Sequence, residues 1–83
     1  MQKRPAWWEW ELEITPHAYK RMMQRGVTEI EVRQMYETVT SIHQDDFAGR
    51  WRLESTIRGK NWIMIVEPDV PDELIVVVTI YSE

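Results

Sequence analysis

The eight residues "LIVVVTIY" at positions 74–81 constrain the fold more than any other part of the chain. Their β-branched apolar side chains leave neither face of a strand polar, so the segment predicts a strand covered on both sides and central in a sheet. It is far shorter than the roughly 20 apolar residues needed to span a bilayer. The other elements must supply the cover and the flanking strands.

Upstream, "WWEWELEI" alternates Trp8, Trp10, Leu12 and Ile14 with Glu9, Glu11 and Glu13, the period of two expected of a strand with one buried face. Thr15-Pro16 predicts a helix start, the hydroxyl capping free amides and the proline ring presetting φ in the first turn. Gly26 predicts its end in left-handed geometry. The apolar stripe of this helix reads Ala18, Tyr19, Met22 and Met23. Thr28 and Glu31 form a T-x-x-E capping box, with Val27 and Val32 placed to staple across it. A second helix is therefore predicted from Glu29 to about Val39, its core face being Val32, Met35, Tyr36 and Val39.

"TSIHQDDFAG" is polar and turn-rich and predicts a loop. Beyond it, Gly59-Lys60 suits a two-residue type II′ hairpin turn, which sets Arg58 opposite Asn61, Ile57 opposite Trp62 and Arg52 opposite Glu67. Trp51, Leu53, Ile57, Trp62, Met64 and Val66 then share a buried face. Arg50, Arg52, Glu54, Thr56, Arg58, Ile63, Ile65 and Glu67 share a mixed polar one that stays open if both helices cover the first. If Val76, Val78 and Ile80 turn toward the helices, Thr79 and Tyr81 face away from them. The order strand, helix, helix, strand, strand, strand predicts an α+β fold with two helices packed on one face of a four-stranded antiparallel sheet.

A chain of 83 residues buries only about 60–65% of its unfolded surface, so positions 1–83 are expected to form one domain around one core. Five tryptophans and five methionines supply large apolar area for it. There is no cysteine, which removes disulfides and thiolate metal sites and fits a reducing cytoplasm. No segment reads as a signal peptide or a membrane span, so a cytoplasmic protein without membrane association is expected. The formal net charge of -4 argues against broad nucleic-acid binding driven by counterion release. Its distribution is uneven, however. All ten Lys and Arg lie in residues 1–60 beside nine acids, a net +1, while residues 61–83 carry five acids and no base. One locally basic face on an acidic protein is compatible with this pattern.

Taken together, "WWEWELEITPHAYKRMMQRGV", "GRWRLES", "WIMIVEPD" and "LIVVVTIY" resemble a widespread bacterial family of small domains of unknown function, with an H-A-x-x-R-M-x-x-R-G helix and a terminal V-V-V-T-x-Y strand. That family is grouped by fold with the RelE, BrnT, barnase and colicin-type ribonucleases, many of them toxins of toxin-antitoxin pairs. The resemblance implies a RelE-like fold, RNA as substrate, no cofactor or metal, and a cognate antitoxin-like protein as partner. Fold alone does not establish function, so the site must be argued from its residues.

Metal-independent RNA cleavage needs a base for the 2′-hydroxyl proton, an acid for the leaving oxygen and cations around the phosphate. An imidazole ordinarily titrates near neutrality, which makes His17 a candidate for the acid or base. His17, Arg21 and Arg25 fall within roughly 80° on a helical wheel and line one shoulder of the first helix. Along that shoulder they can grip a phosphate, with catalytic roles for His17 and Arg21 and substrate binding by Arg25. From the sheet, Tyr81 offers a phenolic proton, while Arg50, Arg52 and Thr79 offer contacts to the substrate. Each has an ordinary alternative: the helix cations can reach solvent or Glu9, Glu11 and Glu13, Arg52 can pair across strands with Glu67, and Thr79 and Tyr81 are good strand residues in their own right. A non-catalytic module on the same fold, holding RNA, or another protein through its tryptophan-rich edge strand, as in a homodimer, is the competing reading. Trp7 beside Lys3 and Arg4 can stack a base or pack on the sheet edge, and His43, Asp45 and Asp46 make a weak metal-ligand pattern.

Overall fold

Thr15 starts the first helix, α1 (Pro16–Arg25), by accepting a hydrogen bond from the Ala18 amide at 3.1 Å. Its hydroxyl also donates to the Val77 carbonyl at 2.9 Å, which ties the helix start to the last strand. Gly26 ends the helix at φ 67°, the left-handed geometry expected of a glycine C-cap. The predicted capping box is present at the start of α2 (Glu29–Glu37), with the Thr28 hydroxyl accepting from the Glu31 amide and the Glu31 carboxylate accepting from the Thr28 amide. Val27 and Val32 both join the core on either side of it. This helix ends at Glu37, short of Val39.

The computed structural model describes residues 4–83. Its strands are β1 (Glu11–Ile14), β2 (Ser41–Gln44), β3 (Trp51–Ile57), β4 (Lys60–Asp69) and β5 (Leu74–Ser82), ordered β1-β5-β4-β3-β2. The α+β class and the two-helix count are as expected. The four-stranded antiparallel sheet is not: five strands form a mixed sheet in which β1 runs parallel to β5 and the other pairings are antiparallel. As expected, β5 is flanked on both sides, by β1 and β4.

Four local expectations are corrected. The segment read as a loop contains β2, where Ile42 is buried in the core between exposed or half-buried polar neighbours. The N-terminal alternation begins too early, because Ala6–Glu9 is a 3-10 turn and only Glu11–Ile14 is strand. That turn folds two indoles back onto the core edge: Trp8 stacks on Tyr36 with centroids 4.1 Å apart, and Trp7 meets Trp51 edge-on at 5.6 Å. The hairpin turns at Arg58-Gly59, both with positive φ (53° and 75°), so Arg52 lies opposite Ile65 and Thr56 opposite Asn61. The expected pairs Arg58–Asn61, Ile57–Trp62 and Arg52–Glu67 are each displaced. Side-chain faces survive because the displacement preserves the parity of the pleat.

The fourth correction concerns β5. A bulge shifts the register between Ile65/Val66, so that Ile65 pairs with Thr79 and Val66 with Val77, leaving Val78 unpaired. Ile75 and Val77 therefore point to the helices before the bulge and Ile80 after it, all three fully buried; Val76 and Val78 do not. Thr79 and Tyr81 remain on the opposite face, beside Ile65 and Ile63. Helix α1 packs against β5 and α2 against β3. Their contact is narrower than the sequence stripe, since Ala18 and Met22 are buried while Tyr19 and Met23 are exposed.

Candidate functional site

Among the described residues no helix covers the sheet face away from α1 and α2, yet Ile63 and Ile65 on it are almost inaccessible, at 0% and 7%. Polar side chains cover them. Arg52 on β3 spreads its three nitrogens over three partners: Nε lies 3.7 Å from Glu54 Oε2, Nη1 donates to the Tyr81 hydroxyl at 3.2 Å, and Nη2 donates to Glu83 Oε1 at 3.1 Å. The guanidinium thereby reaches from β3 across β4 to β5 and is held in one orientation by its planar fork of donors.

On the other side of Glu54 stands His43. Its Nε2 is 3.9 Å from the same Oε2 that faces Arg52. A hydrogen bond joins Nε2 to the Ser41 hydroxyl. Ser41 and His43 alternate with Ile42 on β2 and pair with Glu54 and Arg52 of β3, so the pleat itself puts imidazole, carboxylate and guanidinium on one face. The Glu54 side chain is 24% exposed and His43 59% exposed, leaving the group accessible from solvent. Chemically it offers a carboxylate able to accept a proton, an imidazole able to give or take one, a fixed cation and a phenol.

Of the residues nominated from sequence, Arg52, Tyr81 and Thr79 occupy this face, with Arg52 and Tyr81 in direct contact. Arg50 pairs with Glu67 at 3.1 Å and lies over the Phe47 ring at 4.1 Å, taking the carboxylate that the sequence offered to Arg52. His17, Arg21 and Arg25 sit on α1, which covers the other face. Arg21 reaches Gln24 at 3.2 Å, and Arg25 reaches the Ser82 hydroxyl at 3.5 Å. Among the described residues neither is paired with Glu9, Glu11 or Glu13, and His17 is exposed without a hydrogen bond or ion pair. The nominated residues thus form two groups separated by the sheet, which approach each other around the end of β5, where Tyr81 and Glu83 hold Arg52 and Ser82 meets Arg25.

His43 and Glu54 are the members that sequence reasoning did not assign to a catalytic role. The sequence pattern points to His43 only as a metal ligand beside Asp45 and Asp46, and among the described residues no group of three His, Asp or Glu is placed to hold a metal. The available signal was the alternation of Ser41, Ile42, His43 and Gln44, a short strand pattern inside a polar segment. Trp7 packs on Trp8 and Trp51, and Arg4 stands over the Trp8 ring at 4.5 Å; Lys3 lies outside the described residues. No helix among the described residues is long and apolar enough to cross a membrane.

Fold and site define an α+β protein with helices on one sheet face and a charged, histidine-containing network on the other. The chain belongs to the family described as a domain of unknown function, DUF4258, whose model matches residues 14–82. That span includes every residue of the two groups except Glu83 and excludes the tryptophan-rich 3-10 turn. Neither the curated proteins nor the solved structures compared with the chain give a match.

Proposed function

We propose that this chain is a metal-independent RNA endonuclease whose chemistry is carried by the uncovered sheet face. The observation that carries the reading is that one carboxylate oxygen, Oε2 of Glu54, faces both the His43 imidazole at 3.9 Å and the Arg52 guanidinium at 3.7 Å. In this scheme Glu54 takes the proton from a ribose 2′-hydroxyl. The 2′-oxygen then attacks the adjacent phosphorus, and the bond from phosphorus to the 5′-oxygen breaks. Protonated His43 gives its proton to the departing 5′-oxygen, so one product ends in a 2′,3′-cyclic phosphate and the other in a 5′-hydroxyl. Arg52 and the Tyr81 hydroxyl hold the non-bridging phosphate oxygens as charge builds on them. Thr79 and Arg50 border the same face, while His17, Arg21 and Arg25 bind substrate from the helix side. The grouping by fold of the small-domain family that the chain resembles with the RelE, BrnT, barnase and colicin-type ribonucleases supports RNA as the substrate class and a RelE-like reading of the fold.

A second reading is favoured by one specific observation: both arginines on the face already carry carboxylate partners, Arg50 with Glu67 and Arg52 with Glu54 and Glu83. A face so neutralised needs no turnover to account for it and suits a non-catalytic RNA- or protein-binding module on the same fold, any RNA being held by cations elsewhere. Product analysis separates the two. Purified protein incubated with RNA in EDTA is expected to yield fragments ending in 2′,3′-cyclic phosphate and to leave 2′-deoxy oligonucleotides intact. Intact RNA after prolonged incubation, or cleavage of DNA as well, would remove the endonuclease reading.

A further inference from the structure

A recess of about 250 Å³ opens on the helix side of the sheet, between the end of α1, the start of α2 and the β3–β4 turn. Its floor is formed by the largely buried side chains of Val27, Met35 and Trp62 together with half-buried Ile57. Its rim is cationic. Arg25 closes α1 and reaches Ser82, Arg58 projects from the hairpin turn, and the Lys60 ammonium stands 5.5 Å from the centroid of the Trp62 ring. Glu31 is the one acid on this rim. It is already held by the capping box with Thr28 and by an ion pair with Arg58, so the mouth keeps a positive excess on a chain whose net charge is -4.

We infer that this recess anchors single-stranded RNA, one base resting against its apolar floor while Arg25 and Lys60, the rim cations not matched by a carboxylate, hold the flanking phosphates. Charge complementarity and continuity with the sheet-face network argue for this occupant. Arg21 and Arg25 follow one another along α1 at about 6 Å of helical rise, a spaced line of cations leading to the recess, which suits a strand bearing one charge per nucleotide. Arg25, at the recess end of this line, touches Ser82, and the adjacent Tyr81 and Glu83 belong to the Arg52 network. A strand seated in the recess is thereby directed around the end of β5 toward Glu54. The arrangement also supplies what the sheet face lacks: with its own arginines matched by carboxylates, that face has little net attraction for a polyanion, and binding energy from a remote part of the substrate must hold it there. The inference takes RNA as ligand from the proposed function but concerns binding, and it stands or falls separately from cleavage.

The test is fluorescence anisotropy with a labelled single-stranded 2′-O-methyl oligoribonucleotide, whose blocked 2′-oxygen prevents cleavage, titrated at several salt concentrations against the full chain and an Arg25→Ala/Lys60→Ala double variant. Both residues are exposed, and circular dichroism verifies that the variant is folded. The double variant is expected to bind about tenfold more weakly and to lose about 1.4 from the slope of log affinity against log salt, two phosphate contacts' worth for a single strand. An abasic oligomer of the same length is expected to bind more weakly to the unmodified protein. Equal affinity and slope for the double variant, equal binding of the abasic oligomer, or capture of a Glu-Leu repeat peptide in preference to the oligonucleotide would overturn the inference. Cleavage of unmodified RNA is followed in parallel. Binding with the expected slope but without cleavage keeps the recess and removes the sheet-face chemistry, whereas cleavage with binding insensitive to Arg25 and Lys60 does the reverse.

Discussion

The Arg52 guanidinium reaches the Tyr81 hydroxyl at 3.2 Å, joining β3 to β5 across the whole width of β4. The contact orients the phenol without burying it. Replacing Tyr81 by phenylalanine keeps the ring over the sheet and removes only the polar contact, so stability is expected to fall by about 1 kcal/mol or less. Cleavage, in contrast, is expected to fall roughly 10- to 100-fold through loss of a hydrogen-bond donor to the phosphate. Urea titration and a fluorogenic RNA substrate measured on the same samples check the two parts.

Tyr36 couples stability to alkaline pH. Burial pushes its phenol well above the ordinary tyrosine range, and its hydroxyl donates to the Trp8 carbonyl at 2.6 Å, a bond only the protonated form can make. A group whose folded-state pKa is raised contributes stability that is fully present below its unfolded value of about 10 and is lost as pH rises beyond it toward the folded value. Stability is therefore expected to decline as pH climbs past about 10. Tyr36→Phe is expected to cost about 1 kcal/mol at neutral pH and to flatten that decline. Thermal melts of both proteins between neutral and alkaline pH measure it.

Thr15 has two tasks at once, capping α1 through Ala18 and bonding the Val77 carbonyl. Thr15→Ala is expected to destabilise by about 1–2 kcal/mol, whereas Thr15→Ser, which keeps the hydroxyl, is expected to recover most of the loss. For a domain of this size each kcal/mol lowers Tm by roughly 4–8 °C, well within the reach of calorimetry.

The hairpin turn gives a stabilising prediction. Arg58 holds φ 53° in front of Gly59 at 75°, the left-handed pair of a type I′ turn, in which asparagine suits the first position better than arginine does. High salt weakens the ion pair of exposed Arg58 with the largely covered Glu31. Under that condition Arg58→Asn is expected to gain about 0.5 kcal/mol, read as a higher urea midpoint at unchanged slope.

What the chain discloses in advance follows physical lines. Thr15, Gly26 and the Thr28–Glu31 box act through neighbours within a few residues, and each forms as its local chemistry predicts. The face assignment of β3 and β4 also holds, because the pleat preserves parity even when the turn moves. Partners distant in sequence were harder to foresee. A period of two marks Glu11–Ile14 as strand but does not say that it will lie parallel to β5. An unbroken apolar run cannot announce its own bulge, so simple alternation places Val76 and Val78 on the wrong face. β2 was hidden because only Ile42 of its four residues is buried. Missing it concealed His43, and with His43 the role open to Glu54, whereas Arg52 and Tyr81 were visible from the start as polar residues on a predicted open face.

The most direct test of the central claim compares RNA cleavage in EDTA by the unmodified protein and by Glu54→Gln, a change that keeps the size of the side chain and removes its capacity as a base. The account predicts a loss of roughly 100-fold or more in kcat, with affinity for a 2′-O-methyl oligoribonucleotide and thermal stability nearly unchanged. Cleavage by Glu54→Gln at the rate of the unmodified protein would contradict it.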